Sequence, residues 1–523
     1  MTAAPTLHDP APPQHAPAPP RSAPARPAPA IHGTPIHGTP IPGPPASPRP
    51  PQGARFLTGS ITRHVAVMSA TGAVGLVAVF VVDLLNLFYI SLLGDPGLTA
   101  AVGFTGAVGY FQISVAIGMT IGLGAVVSRR IGAGRHDEAR RIASASLVVM
   151  AAAMLALGLA TVAGLGPILD ALGAHGEAHR QAWRYLAIAG PFLPLVVLGM
   201  ACSALLRSVG DARRSMTIAL AGAGVAAVLD PVLIFALHLG LAGAAVSAVA
   251  SRAAMAALGL RAVRRHGLLQ RPDWPGVAAD AREVARVATP ATLTNLATPV
   301  GSAYTTHAMA GFGLAAVAGQ ATVDRIVPVA FGFVFALTGA VGPILSQNLG
   351  AGQLARVRQT LRSSLALVAG CVLGMWVLLV LLQGPLVALF SATGTQAELI
   401  RLFCRWTAPG FVFVGALFVA NAAFNNLGRP VLATAFNWGR ATLGTIPFVT
   451  LGLRYGPAGV LLGQAAGGVV FGLLALAAAF AVTGRLRAPG ATPGNSPTVP
   501  GSTAKAALAE MAQPVDGRQG KQG

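Results

Sequence analysis

RRIGAGRHDEARR, Arg129–Arg141, and SQNLGAGQLARVRQ, Ser346–Gln359, decide how this chain is read. Each is a glycine–alanine–glycine turn carrying basic residues, and each separates two long apolar runs. Gly132 and Gly134 match Gly350 and Gly352 at an offset of 218 residues. The same offset relates Pro167 to Pro385 and Gly210 to Gly428, and an offset of 216 relates Pro231 to Pro447 and Gly243 to Gly459. Chance glycines give one or two such matches, but not a nearly constant offset that punctuates equivalent helices. The chain is a tandem duplication of one helical unit.

The solvent for that unit follows from composition. Of 523 residues, 54% are hydrophobic and 10% are charged, whereas soluble proteins carry about 25% charged residues. This places the chain in the membrane class. The net charge of +20, from 36 basic and 16 acidic residues, does not point to nucleic acid. Its arginines stand at the ends of apolar segments, where anionic lipid and the positive-inside rule select them. Cys202, Cys371 and Cys404 form no CxxC or metal spacing, so neither a disulfide framework nor a metal site is expected.

Glycine, proline and charge clusters divide the apolar region into twelve expected membrane helices, giving an all-α polytopic fold. The spans are 64–93, 98–128, 138–165, 178–206, 213–237 and 241–263, then 282–309, 314–347, 356–382, 397–425, 430–452 and 457–484. Loops after helices 2, 4, 6, 8 and 10 carry arginine, while LLGDPG, HLGLAG and AGFGLA after helices 1, 5 and 7 carry none. That asymmetry places both termini and the even-numbered loops in the cytoplasm of a multi-pass cytoplasmic-membrane protein. Residues 1–60 read as a disordered Pro/Ala/His-rich tail, 61–266 as an N-terminal lobe, 267–281 as a cytoplasmic linker, 282–484 as a C-terminal lobe and 485–523 as a second disordered tail. The tail is not a secretory signal, and His8, His15, His32 and His37 read as a solvated tract with at most weak metal affinity.

Six helices per unit is an even number, so both copies enter the membrane from the same side. The parallel repeat has its pseudo-twofold axis along the membrane normal, an arrangement of transporters that rock two bundles about a central site. Of the 16 acidic residues, 13 fall in tails, loops or helix ends; Asp83, Asp230 and Asp324 lie inside apolar helices. Each costs about 2.5–3.5 kcal/mol at a helix centre, so each needs a reason to be there. Asp83 precedes Gly94 by 11 residues and Asp230 precedes Gly240 by 10, which sets both about 15 Å below the outer face at ~1.5 Å per residue. Asn86 shares the helix face of Asp83, and Pro231 frees a carbonyl next to Asp230. Two acids at one depth suit a proton relay; the competing reading is that each satisfies a polar contact in the bundle. For Asp324 the bland reading leads, because adjacent Arg325 neutralises it.

With the duplicated GAG turns, LLRSVGDARRSM and LDPVLIF in hand, the chain resembles the multidrug and toxic compound extrusion family, in the branch related to the DNA-damage-inducible protein F. The resemblance covers about residues 64–484. It implies two six-helix lobes and proton- or sodium-driven export of amphiphilic, often cationic compounds, coupled through acids on helices 1 and 5. Asp230 falls on the helix-5 acid. The family's N-x-x-D on helix 1 is here Asp83-Leu84-Leu85-Asn86, with the two residue types exchanged. Ala226 replaces an asparagine before the helix-5 acid, and Ala248 with neighbouring Ser247 stands at a helix-6 threonine position. These exchanges remove oxygen ligands that sodium needs and affect proton coupling less.

The expected coupling set is therefore Asp83, Asn86, Asp230 and Ser247, with Tyr110, Gln112, Asn295, Tyr304 and Gln320 near the substrate cleft and Asp324 with Arg325 as a C-lobe charge. No cofactor is called for: a proton gradient, or a sodium gradient, supplies the energy. The expected partners are a small amphiphilic substrate and membrane lipid, with no nucleic acid, for a protein acting as a monomer. No nucleophile constellation or phosphate loop points to an enzyme or a primary pump. One rival is a flippase for a lipid-linked saccharide, which needs a wide basic cavity; only Arg325, and Arg405 near a helix end, are counted as arginines within helices. The other is a membrane scaffold or sensor that recruits partners through its Pro-rich tail.

Overall fold

The structure is a computed structural model in which residues 54–486 are described. Every regular element among them is helical. We number the twelve membrane segments α1 (Ile61–Ser91), α2 (Pro96–Gly132), α3 (His136–Ala163), α4 (Gly176–Ser208), α5 (Ala212–Pro231, continued by a π-helical turn, Val232–Ala236) and α6 (Gly240–Arg265). The second half comprises α7 (Trp274–Ala310), α8 (Leu314–Ala330 and Gly332–Gly350), α9 (Leu354–Leu389), α10 (Gly394–Asn426), α11 (Pro430–Gly439, a π turn Arg440–Gly444, then Ile446–Gly452) and α12 (Gly456–Gly484). Side-chain caps start several of them: Ser60 accepts from the Arg63 amide, Asp95 from that of Gly97 and Asp211 from that of Arg214.

The duplication is visible in the backbone. Short 3-10 turns interrupt α4 at Gly190–Phe192 and α10 at Ala408–Gly410, around prolines 218 residues apart (409 − 191). Proline removes a helical donor in each. Positive φ angles recur at the same offset, +76° at Gly134 with +72° at Gly352, and +81° at Gly210 with +84° at Gly428. Packing repeats too: α1 lies on α5, α2 on α4, α4 on α6 and α5 on α6, and α7 on α11, α8 on α10, α10 on α12 and α11 on α12 repeat that pattern. Between the lobes, α1 meets the second half of α8 while α7 meets α2, a reciprocal pair about the pseudo-twofold.

Two expectations change. Residues 54–60 are not loose tail: Ala54, Phe56 and Leu57 are buried, and Arg55–Leu57 form a 3-10 turn. The linker is shorter than expected, because α7 begins at Trp274 rather than 282. Pro275 is pre-set for a first helical turn, while Asp280, Arg282, Glu283 and Arg286 hid the apolar pattern. The rest of both expected tails, with the four histidines, lies outside the described residues.

The two lobes build their cores differently. The C-terminal lobe has one continuous apolar cluster. In the N-terminal lobe there are two. One, toward the GAG end, contains Ala116, Met154, Leu193 and Ile218; the other, toward the opposite end, contains Val108, Leu165, Leu186 and Ile234. Along α2 and α5 the two clusters leave a level between them, and Gln112 and Asp230 lie in it.

Candidate coupling site and inter-lobe cleft

Asp230 sits in the excluded level, 2% exposed, at the last turn of α5 before Pro231 and the π turn. Asn86 of α1 donates through Nδ2 to Asp230 Oδ2 at 3.2 Å. Asp83, one turn earlier on α1, is exposed and lies within electrostatic reach of Asp230 and of Arg252 on α6. Tyr185 of α4 feels all three charges. The cluster thus holds two carboxylates and one guanidinium, and a single proton brings its charge to zero. Asp230 is the buried carboxylate of the pair, and its burial favours the neutral count.

Ser247 on α6 is fully buried, and its hydroxyl has no hydrogen-bond partner among the described residues. Gln112 is 5% exposed and donates to Thr161 Oγ1 at 3.3 Å, so it packs inside the N-terminal lobe rather than lining a cleft. Tyr110, two residues earlier and so on the opposite side of α2, is 47% exposed. In the other lobe Asn295 bonds back to Ala291 O at 2.8 Å, and the Tyr304 hydroxyl lies 2.6 Å from Thr450 Oγ1. Gln320 is buried and donates to Asp324 Oδ1 at 3.1 Å and to Gln464 Oε1 at 3.5 Å. The hydrogen bond to Asp324 therefore comes from Gln320 and not from adjacent Arg325, which is exposed.

The GAG turns face each other. A Cβ placed on Gly132 would collide with the Gln347 backbone, and one on Gly350 with the Arg129 backbone. Arg129 and Gln347 are themselves related by 218 residues (347 − 129), so the contact is reciprocal and only glycine fits both sides. Bonds across the lobes gather at this end. Arg129 donates to Asn426 O at 2.6 Å, Gln347 to Ser208 O at 2.6 Å, Arg130 to Glu283 Oε1 at 2.8 Å and Arg141 to Asp280 Oδ1 at 3.1 Å. The Phe56 amide donates to Gln347 Oε1 at 3.1 Å, and Arg356 ties Phe56 O and Gly59 O at 2.8 and 3.1 Å. Toward the opposite end of α2, by contrast, Gly103, Gly106 and Gly109 have open space where a Cβ would be.

Reading the sequence missed two arginines near the middle of membrane segments. Arg252 joins the acid cluster, and Arg440 opens the π turn of α11. The count that named only Arg325 and Arg405 is corrected accordingly. Arg252 stands in SRAAMAALGLRAVRR, where it merges with the arginine-rich helix end, and Arg440 in FNWGRATLG, which reads as punctuation.

Comparison with known proteins agrees with this architecture. The MatE family model matches residues 73–232 and 290–451, one stretch in each lobe and together more than half of the chain. A FAD transporter of Shewanella oneidensis is 29% identical over 406 residues, covering 76% of this chain and 89% of that protein. The multidrug export protein MepA of Staphylococcus aureus is 30% identical over 185 residues, 35% of this chain and 41% of its own. A Vibrio cholerae MATE transporter crystal structure superposes with a TM-score of 0.77 at 24% identity, covering 80% of this chain and 96% of that one. Two matched stretches in two parallel lobes, on a shared transporter fold, make this chain a multi-pass membrane protein of the MatE family, the multidrug and toxic compound extrusion transporters.

Proposed function

We propose that the protein is a proton-coupled exporter that moves amphiphilic compounds out of the cytoplasm by alternating access, with both termini on the cytoplasmic side. The reading rests above all on the Asn86–Asp230 hydrogen bond, which joins α1 to α5 beside a second carboxylate one turn away on α1. A proton arriving from outside neutralises the cluster and weakens that joint, because a protonated Asp230 no longer offers the same acceptor to Asn86. Helix α5 is already interrupted after Asp230 by Pro231 and a π turn, so it has a place to bend. The closed contact of the GAG turns describes the state in which the cytoplasmic end is shut; loss of that contact opens it.

The relatives' names support transport of organic compounds, one a multidrug export protein and the other a FAD transporter. Sodium is the weaker choice, since Ala226 and Ala248 supply no side-chain oxygen. The test is efflux from sodium-free proteoliposomes under an imposed pH gradient, with ethidium and riboflavin 5′-phosphate as probes. Asp83→Asn and Asp230→Asn are each expected to slow proton-driven efflux by at least about tenfold, the effect of ~1.4 kcal/mol in the barrier. Undiminished efflux in both variants removes the mechanism, and efflux that appears only with a sodium gradient reassigns the ion.

A further inference from the structure

Arg440 is a charge with no evident counter-charge. It lies 12 residues from the end of α11 at Gly452, about 18 Å along the helix at ~1.5 Å per residue, well below the level of lipid headgroups. An arginine at such depth faces protein or a water-filled cavity and is paired. Among the described residues, its hydrogen bond is one long contact from Nη2 to Thr298 Oγ1 at 3.5 Å, and its buried Nε has no partner. Among the acids of this lobe, Asp280 is engaged with Arg141, Glu283 with Arg130 and Asp324 with Gln320. The ionisable group that acts on Arg440 is Tyr110, which belongs to α2 of the opposite lobe. Arg440 thus stands where α11 of one lobe faces α2 of the other, beside exposed Thr298 and within electrostatic reach of half-exposed Tyr110. Trp438 donates to Leu293 O at 2.9 Å and pins this part of α11 to α7.

We propose that Arg440, with Thr298 and Tyr110, forms an anion-recognising subsite of the cleft, which takes the phosphate or sulfonate of an aromatic amphiphile. A guanidinium offers five N–H donors in a planar fork that matches phosphate oxygens two at a time, and most of them are unused here. Thr298 adds a hydroxyl, and the Tyr110 ring across the gap supplies a flat surface for an aromatic body. The substrate brings the counter-charge that the protein lacks, which biases the cleft against organic cations.

This rests on the exporter reading, and the experiment keeps the two apart by needing no ion gradient. Equilibrium dialysis of the purified full-length protein in detergent compares riboflavin 5′-phosphate with riboflavin, the same ring with and without the anion. The wild type is expected to bind the phosphate form at least about tenfold more tightly. Arg440→Gln is expected to erase that preference while retaining riboflavin, and Arg440→Lys to keep part of it. Equal affinity of the wild type for both ligands, no binding of the phosphate form, or an unchanged preference in Arg440→Gln overturns the proposal. The wild-type comparison decides the matter even where a variant fails to fold. Failure here leaves the coupling site standing, and failure of proton-driven efflux leaves this subsite standing.

Discussion

Asp83 and Asp230 were legible because a carboxylate inside an apolar run has few alternative explanations. What joins them was less so. The spacing of Asp83 and Asn86 put both on one face, but only the fold shows Asn86 reaching Asp230 and Arg252 arriving from α6. Arginine next to a basic helix end leaves no pattern of its own. Asn86→Ala removes the donor and leaves a buried carboxylate oxygen short of a partner, at a cost of about 1–3 kcal/mol. Its thermal midpoint in detergent is expected below that of the wild type, and an unchanged midpoint would show that the bond carries no stability. Arg356 gives a second test at this scale. Arg356→Gln releases four acceptors, at Asn348, Phe56, Thr58 and Gly59, and charge-assisted bonds are worth about 1.5–3 kcal/mol each. Trypsin should then cut at Arg55 about tenfold faster or more; cleavage at the wild-type rate argues against the tie.

Helices were read well where apolar runs were long, and poorly where charge or proline interrupted them. The early start of α7 was hidden by four charged residues, and the π turns of α5 and α11 have no signature beyond a nearby proline or glycine. The GAG turns were recognised as equivalent without any hint that they touch, because a glycine contact is made by backbone and leaves no side-chain pattern. Their contact predicts that Gly132→Val and Gly350→Val each lower the thermal midpoint, with overpacking costs of about 1–3 kcal/mol. Gly124→Ala, also on α2, has open space for its Cβ and serves as the silent control. Equal midpoints for all three would mean that the turns do not meet.

At the scale of the whole molecule, the repeat made the two-lobed architecture readable, since a constant offset constrains every helix at once. The closed basic end was not readable, because Ser346, Gln347 and Asn348 are polar residues at a helix end whose burial only the fold reveals. Thr62 and Ser363 bridge the lobes there, their hydroxyls 3.1 Å apart. With Cys202, Cys371 and Cys404 replaced by alanine, Thr62→Cys and Ser363→Cys together should form a disulfide under mild oxidation. Oxidation is expected to stop efflux and reduction to restore it; transport that continues while the bridge is intact would mean that this end does not open in the cycle.

The charge count of the N-terminal cluster gives the most direct test of coupling. In weakly buffered detergent solution, substrate binding to the purified protein should release about one proton, the number that takes two carboxylates and Arg252 from neutral to singly negative. Asp230→Asn should release none. Equal proton release by the wild type and by a variant carrying both Asp83→Asn and Asp230→Asn would place the exchanged proton elsewhere and contradict the account.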